Sequence, residues 1–188
     1  KEARMMSALR FNVAGLLKEQ AGAAREYEIE ASPDDLGELV EGAHPADGLR
    51  GGVRMMRTPR SVFVRGHLET RVIVECSRCL RDVETPIELE IEAEYFPAID
   101  ITTGHPLPAP DDDLAFTIDA NHELDLGEAI RQNLLLELPM QRLCSEACQG
   151  LCPRCGADLN QGPCACEPEP ADERLTPLRA LLEGTAKS

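Results

Sequence analysis

Eight cysteines carry the most specific chemistry in this chain of 188 residues: Cys76-x2-Cys79, then Cys144-x3-Cys148-x3-Cys152-x2-Cys155, then Cys164-x-Cys166. Two cysteines separated by two residues can turn both sulfurs onto one ion while backbone N–H groups bond the thiolates. The segment CPRCG, Cys152 to Gly156, has the make-up of such a knuckle, with Pro153 stiffening the turn and Gly156 permitting the backbone beyond it. Eight thiolates match two tetrahedral Zn²⁺ ions with four cysteines each, the closed arrangement that leaves no open position for catalysis.

Two pairings keep both CxxC units intact. In the first, Cys152, Cys155, Cys164 and Cys166 share one ion, and Cys76, Cys79, Cys144 and Cys148 share the other. In the second, Cys144, Cys148, Cys152 and Cys155 share an ion, leaving Cys164 and Cys166 for the first CxxC. The first is preferred, because residues 156–163 give the chain a loop in which to turn back onto the metal. Spacing alone also allows an iron–sulfur cluster. A thioredoxin-like centre would need its CxxC to open a helix, whereas Cys76 and Cys79 fall between two strand-like runs. His44, His67, His105 and His122 lack partner spacing and read as ordinary surface residues. No phosphate loop or nucleophile elbow is present, and Asp111–Asp113 is an acidic run rather than a held pair of carboxylates, so the chain is expected not to be an enzyme and to have no small-molecule substrate.

The N-terminal residues lack a sustained apolar stretch and a small-residue cleavage site, and no segment has the roughly 18–20 apolar residues of a membrane span. A cytoplasmic location is therefore expected, where thiols stay reduced and disulfides are disfavoured. The formal charge of −15 argues against a uniformly basic nucleic-acid surface, but the charge is polarised. Arg50 to Arg81 holds eight arginines against Glu69 and Glu75, whereas Asp82 to Ile130 holds fourteen acids and no Lys or Arg. Two partner chemistries follow. Glu88, Glu90 and Glu92 could face a basic protein, and Arg54, Arg57, Arg60 and Arg65 could contact the phosphates of an RNA. Against the second stands the pairing of these arginines with glutamates on a neighbouring strand.

The elements that must position these groups are legible in part. NVAGLLKEQ places Val13, Leu16, Leu17 and Gln20 at helical spacing behind Asn12, and YEIE (Tyr27–Glu30) reads as a strand. Ser32 to Gly52, rich in Pro, Gly and Asp, reads as loop with at most a short strand. Val62–Arg65 and Val72–Val74 are strand-like, and Ile87 to Tyr95 alternates strictly with Glu88, Glu90, Glu92 and Glu94. The first CxxC thus sits at the tip of a β-hairpin. Pro97 to Asn121 reads as a polar loop. A helix is expected from Asp125, with Glu128 completing a capping box and Leu126, Ala129, Ile130, Leu134 and Leu138 on one face, ending at Pro139. A short last helix is expected over about Thr176 to Leu182. The fold class is α+β: an antiparallel meander packed with a long helix, with a zinc-stapled cysteine-rich tail. The expected division is a core domain over 1–140, carrying the CxxC hairpin, and a zinc-binding tail with its short helix over 141–188.

With these residues in view, the chain resembles the YceD family, the large ribosomal RNA subunit accumulation proteins. The resemblance is carried by NVAGLLKE, Gly22-x-x-Arg25-x-Tyr27, RTPRSVFVRGHLE, ECSRCL (Glu75–Leu80), EYFP (Glu94–Pro97), DLGEAIRQNLLLELPM (Asp125–Met140), CSEACQGLCPRCGADLNQGPCAC (Cys144–Cys166) and DERLTPLRALL. It implies a non-enzymatic factor needed for normal levels of 23S ribosomal RNA, whose partner would be a large-subunit ribosomal protein or a pre-ribosomal particle. The gene neighbourhood of the family, beside a small basic ribosomal protein, points to the former. Direct RNA binding through the Arg50–Arg81 strip, and a redox or zinc-release sensor at Cys76 and Cys79, are the rival readings.

Overall fold

The computed structural model describes residues 8–36, 43–108, 110 and 115–166. The expected C-terminal helix and the Asp111–Asp113 run lie outside the described residues. Strand β1 (Arg10–Asn12) leads into a single helical turn, α1 (Ala14–Leu17), where Asn12 Oδ1 accepts the Ala14 N–H at 3.1 Å and Leu16 and Leu17 are buried. Next come β2 (Ala24–Ala31), a short α2 (Pro33–Leu36), β3 (Ala43–Pro45) and β4 (Leu49–Arg57). The hairpin follows, with β5 (Val62–Glu75) and β6 (Asp82–Pro97), then β7 (Phe116–Ile118), β8 (Glu123–Asp125) and α3 (Gly127–Glu137).

Period-two patterning builds the sheet. Along β5, Val62, Val64, Leu68, Val72 and Val74 are buried while Arg65, His67, Glu69 and Arg71 are exposed; along β6, Ile87, Leu89, Ile91, Ala93 and Tyr95 are buried between exposed glutamates. The two pair antiparallel from Val62↔Tyr95 to Glu75↔Asp82, so the two apolar runs of the sequence form one continuous strand. The sheet order is β2-β4-β5-β6-β7, with β3 added antiparallel to the outer end of β5, and β1 and β8 form a separate two-stranded ribbon. The β4-β5-β6 part is the expected antiparallel meander, but β7 joins β6 in parallel through Tyr95↔Phe116 to Pro97↔Ile118, which makes the sheet mixed.

Two further expectations are corrected. The stretch from Ser32 to Gly52 contains its one short strand as β3, but also α2 and the start of β4 where loop is expected. Gly51 and Gly52 read as loop punctuation, yet Gly51 lies inside β4 at φ +145°, where an added Cβ would fall 2.2 Å from the His67 carbonyl oxygen of β5. The glycine is there so that two strands can approach. The helix, expected to be long and to begin at Asp125, spans eleven residues, an ordinary length. Asp125 belongs to β8, and its Oδ1 accepts the Gly127 N–H at 2.8 Å. Glu128 binds Arg131 and Gln132 instead of reaching back to close a capping box. Extended backbone at Leu138 ahead of Pro139 ends the helix. Ala129, Ile130 and Leu134 bury its inner face, and the helix packs along β6. Among the described residues no helix is long and apolar enough to cross a membrane.

Two candidate metal centres and a charged sheet face

The tip of the β5–β6 hairpin folds back on itself. Cys76 N–H donates to the Arg81 carbonyl at 2.9 Å, Leu80 N–H donates to the Cys76 carbonyl at 2.9 Å, and Leu80 takes φ +59° to complete the knuckle. The chain leaving α3 crosses this tip, where Ser77 N–H donates to the Arg142 carbonyl at 2.8 Å and Cys144 N–H donates to the Cys76 sulfur at 3.4 Å. As a result the Sγ atoms of Cys76, Cys79, Cys144 and Cys148 all lie within 4.8 Å of one another. The Cys79–Cys144 pair is 3.6 Å apart and the Cys76–Cys148 pair 3.9 Å.

The second group comprises Cys152, Cys155, Cys164 and Cys166, also within 4.8 Å of one another. Its knuckle is closed by Gly156 N–H to the Cys152 carbonyl at 2.9 Å and Cys152 N–H to the Ala157 carbonyl at 2.8 Å, with Gly156 at φ +72°. A 3₁₀ turn at Leu159–Gln161, capped by Asp158, then returns the chain so that the Cys164 and Cys152 sulfurs stand 3.4 Å apart. These are the two groups preferred from the loop length, and the rival grouping of Cys144, Cys148, Cys152 and Cys155 is not the one assembled.

The donor sets fit a thiophilic ion. Four sulfurs at about 2.3 Å from a tetrahedral Zn²⁺ stand about 3.8 Å from each other; the Cys76–Cys148, Cys79–Cys144 and Cys152–Cys164 pairs, at 3.9, 3.6 and 3.4 Å, lie near that edge, and the other pairs lie within 4.8 Å. All eight cysteines are free thiols. The first group is dry, with Cys76, Cys79 and Cys148 buried, whereas the second is more open, with Cys155 exposed. Proton affinities are split within each group. The N–H groups of Arg78 and Cys79 pull Cys76 down to about 6, while Cys79, despite the Arg81 N–H that favours its thiolate, is pushed up to about 12 by burial and the neighbouring thiols. The N–H groups of Cys155 and Arg154 hold Cys152 at about 6, and the hydrogen bond with Cys155, with burial, pushes Cys166 up to about 12. Four packed thiols cannot all ionise on their own, and a divalent cation at the centre removes that conflict.

Of the remaining candidate residues, Arg54, Arg65, Glu88, Glu90 and Glu92 lie on the open face of the sheet. Its residues run across β2, β4, β5 and β6 in register: Glu30, Arg50, Glu69, Glu88; then Glu28, Gly52, His67, Glu90; then Glu26, Arg54, Arg65, Glu92, all but Gly52 with exposed side chains. Arg54 meets Glu26 at 3.4 Å, Arg65 meets Glu92 at 3.3 Å, and Arg71 meets Glu84 at 3.6 Å and Asp47 at 2.9 Å. Arg57 turns away and donates to the carbonyls of Thr58 and Ser61, while Arg60 stands exposed in that turn. The arginine strip is therefore dispersed among carboxylates. From Glu84 to Glu94 and across to β2, nine exposed carboxylates outnumber four guanidiniums, leaving a net charge of −5 with His67 neutral.

Sequence reasoning missed the residues that join the two cysteine groups. Arg78 donates to the Cys148 carbonyl at 2.7 Å, Arg81 pairs with Asp158 at 3.1 Å, and Asn160 reaches the Cys148 sulfur at 3.6 Å. The available signal was Asp158-Leu-Asn160 between the last two cysteine pairs, a composition that caps turns.

Comparison with known proteins places this arrangement. The chain is 30% identical over 130 residues to an uncharacterized protein of Mycobacterium tuberculosis, covering 69% of this chain and 58% of that protein. It is 27% identical over 166 residues to the maize "Large ribosomal RNA subunit accumulation protein YCED homolog 1, chloroplastic", covering 76% of this chain and 56% of that protein. The Arabidopsis thaliana protein of the same description is 39% identical over 61 residues, covering 32% of this chain and 19% of the relative. The chain thus spans little more than half the length of the mycobacterial and maize relatives. No solved structure matches. A family pattern described as "Large ribosomal RNA subunit accumulation protein YceD" matches residues 64–182, from within β5 through both cysteine groups, and on that match the chain belongs to the YceD family.

Proposed function

We propose that this protein is a non-enzymatic, zinc-binding accessory factor of large ribosomal subunit biogenesis. It supports accumulation of 23S ribosomal RNA by holding a basic ribosomal protein on the open face of its sheet. The family description, with its role in large-subunit RNA accumulation, supplies the process. The observation that carries the mode of action is the charge pattern of the open face, where three successive rows across the strands begin and end on a glutamate and Arg54 and Arg65 are each paired with one of these glutamates. Such a face attracts cationic polypeptide, and exposed acids flanking each arginine repel a phosphate backbone. Eight cysteine sulfurs hold two Zn²⁺ ions, which cross-link the hairpin tip, the exit of α3 and the following loop.

The test is to purify the tagged full-length protein from its host, measure metals by elemental analysis and identify what remains bound. Two zinc ions per chain and a basic large-subunit protein are the expected result. Retention of RNA alone, weakening steeply with salt, would replace the partner reading by direct RNA binding through Arg54, Arg60 and Arg65. Iron with visible-region absorption, or a chain that binds no metal, would overturn the zinc assignment.

A further inference from the structure

We infer that the two cysteine centres are not independent: Asn160, carried on the loop of the second centre, is a positioning residue for the first, so that closing the second centre tightens metal binding at the first. The inference rests on the reading of both groups as metal sites.

Asn160 lies in the 3₁₀ turn between Cys155 and Cys164, the stretch that the second centre must hold in place. Its Oδ1 accepts the Gln149 N–H at 2.8 Å, so the amide nitrogen is the atom left to face the Cys148 sulfur, 3.6 Å away. That nitrogen also donates to Asp158 Oδ1 at 2.6 Å, which fixes the same orientation. One side chain thus clamps the backbone next to Cys148 and donates to its thiolate. The rest of the loop is tied to the first knuckle as well. Leu159 N–H donates to the Gly150 carbonyl at 2.9 Å, Leu151 N–H donates to the Arg78 carbonyl at 3.1 Å, and Asp158 accepts from Arg81 at 3.1 Å. At Gly150, φ +74°, an added Cβ would fall 2.8 Å from the Arg78 carbonyl oxygen, so the two knuckles touch through backbone.

A four-thiolate zinc centre carries a net charge of −2, and N–H donors to the sulfurs stabilise it. Residues that orient and hydrogen-bond metal ligands typically change affinity about 10–100-fold when lost. If the loop is held only when Cys152, Cys155, Cys164 and Cys166 share an ion, emptying the second centre withdraws the Asn160 donor from the first. The same coupling orders release. The open second centre yields its ion first, and the buried first centre becomes labile only afterwards.

The test uses the full chain with both metals bound. Zinc release to a chromogenic chelator is followed for the wild type, Asn160→Ala and Cys164→Ser, and cadmium-substituted protein is examined by ¹¹³Cd NMR. Asn160→Ala is expected to keep two metals per chain and both resonances. The resonance of the first centre should shift and its release should quicken by about 10-fold or more. Cys164→Ser is expected to lose the second ion and to speed release of the first in the same way, although no ligand of the first is altered. Unchanged first-centre release and an unshifted resonance in Asn160→Ala would overturn the inference while leaving the metal reading intact, as would a Cys164→Ser protein that holds its remaining ion as the wild type does. A wild-type chain without two bound metals would overturn the metal reading itself, and the inference with it.

Discussion

Replacing Glu88, Glu90 and Glu92 together by Gln is the sharpest perturbation of the proposed docking face. All three side chains are exposed on β6, and each keeps its shape and its place in the strand after the change. The net charge of the face falls from −5 to −2. Each exposed ion pair contributes about 0.2–1 kcal/mol, so losing three cross-interface pairs costs about 0.6–3 kcal/mol, roughly a 3- to 150-fold rise in Kd. The internal cost to the fold should be small. Glu88 lies directly across from Glu69, so neutralising it removes a repulsion, while Glu92 and Glu90 give up only exposed contacts to Arg65 and His67. The assay is retention of proteins extracted from large ribosomal subunits on immobilised wild-type and triple-variant protein, over a series of salt concentrations. The wild type should retain basic proteins in a salt-sensitive manner, and the variant should lose most of that binding with unchanged metal content and thermal midpoint. Equal retention by the variant, or no basic protein held by the wild type at moderate salt, refutes the reasoning.

Gly51→Ala should destabilise the protein by at least about 3 kcal/mol in urea denaturation, because it adds unfavourable backbone conformation to a collision with the His67 carbonyl; a loss below about 1 kcal/mol would show that β4 and β5 do not approach so closely.

How much of the fold could be read in advance depends on whether its cause was local. The β5–β6 hairpin was legible because one face of each strand is buried and the other solvated, so alternation survives in the sequence from Ile87 to Tyr95. The grouping of the cysteines was legible for a similar reason, since the loop between Cys155 and Cys164 is a local requirement for closing a ring of sulfurs. Where the cause was distant, the reading failed. Gly51 and Gly52 signal a turn in isolation, and only the neighbouring His67 and Leu68 backbone explains a glycine within a strand. The parallel addition of β7 follows from the stacking of Phe116 on Tyr95, with ring centroids 5.1 Å apart, between residues far apart in sequence. Nothing in the local sequence marks Asn160 beyond a turn-capping composition, and its hydrogen bond to sulfur exists only because Cys148 has been brought to it.

The same distinction explains where bound metal would be needed. Most of the hairpin is buttressed: β4 pairs with β5 from Val62 to Glu69, and β3 with Val72 to Val74. Beyond Val74 only the Glu75↔Asp82 pair separates the hairpin from its knuckle, and among the described residues no third strand pairs there. There the buried residues form a separate small cluster, Cys76, Cys79 and Cys148, joined by Val83, Leu143, Cys144 and Leu151. So few apolar side chains bury too little surface to offset the conformational entropy of ordering the hairpin tip and the chain that crosses it. Hydrogen bonds between the knuckles add direction but little net free energy in a partly wet setting. An ion bound there would supply what this satellite core lacks, because its coordination free energy is available only to the folded arrangement of four sulfurs. The main core asks for no such help: Leu68, Leu89, Ile91, Ile130 and Leu134 are fully buried around a continuous sheet. Metal loss should therefore act on the tip and on the segment joining it to α3, leaving the open face of the sheet, and whatever it holds, in place.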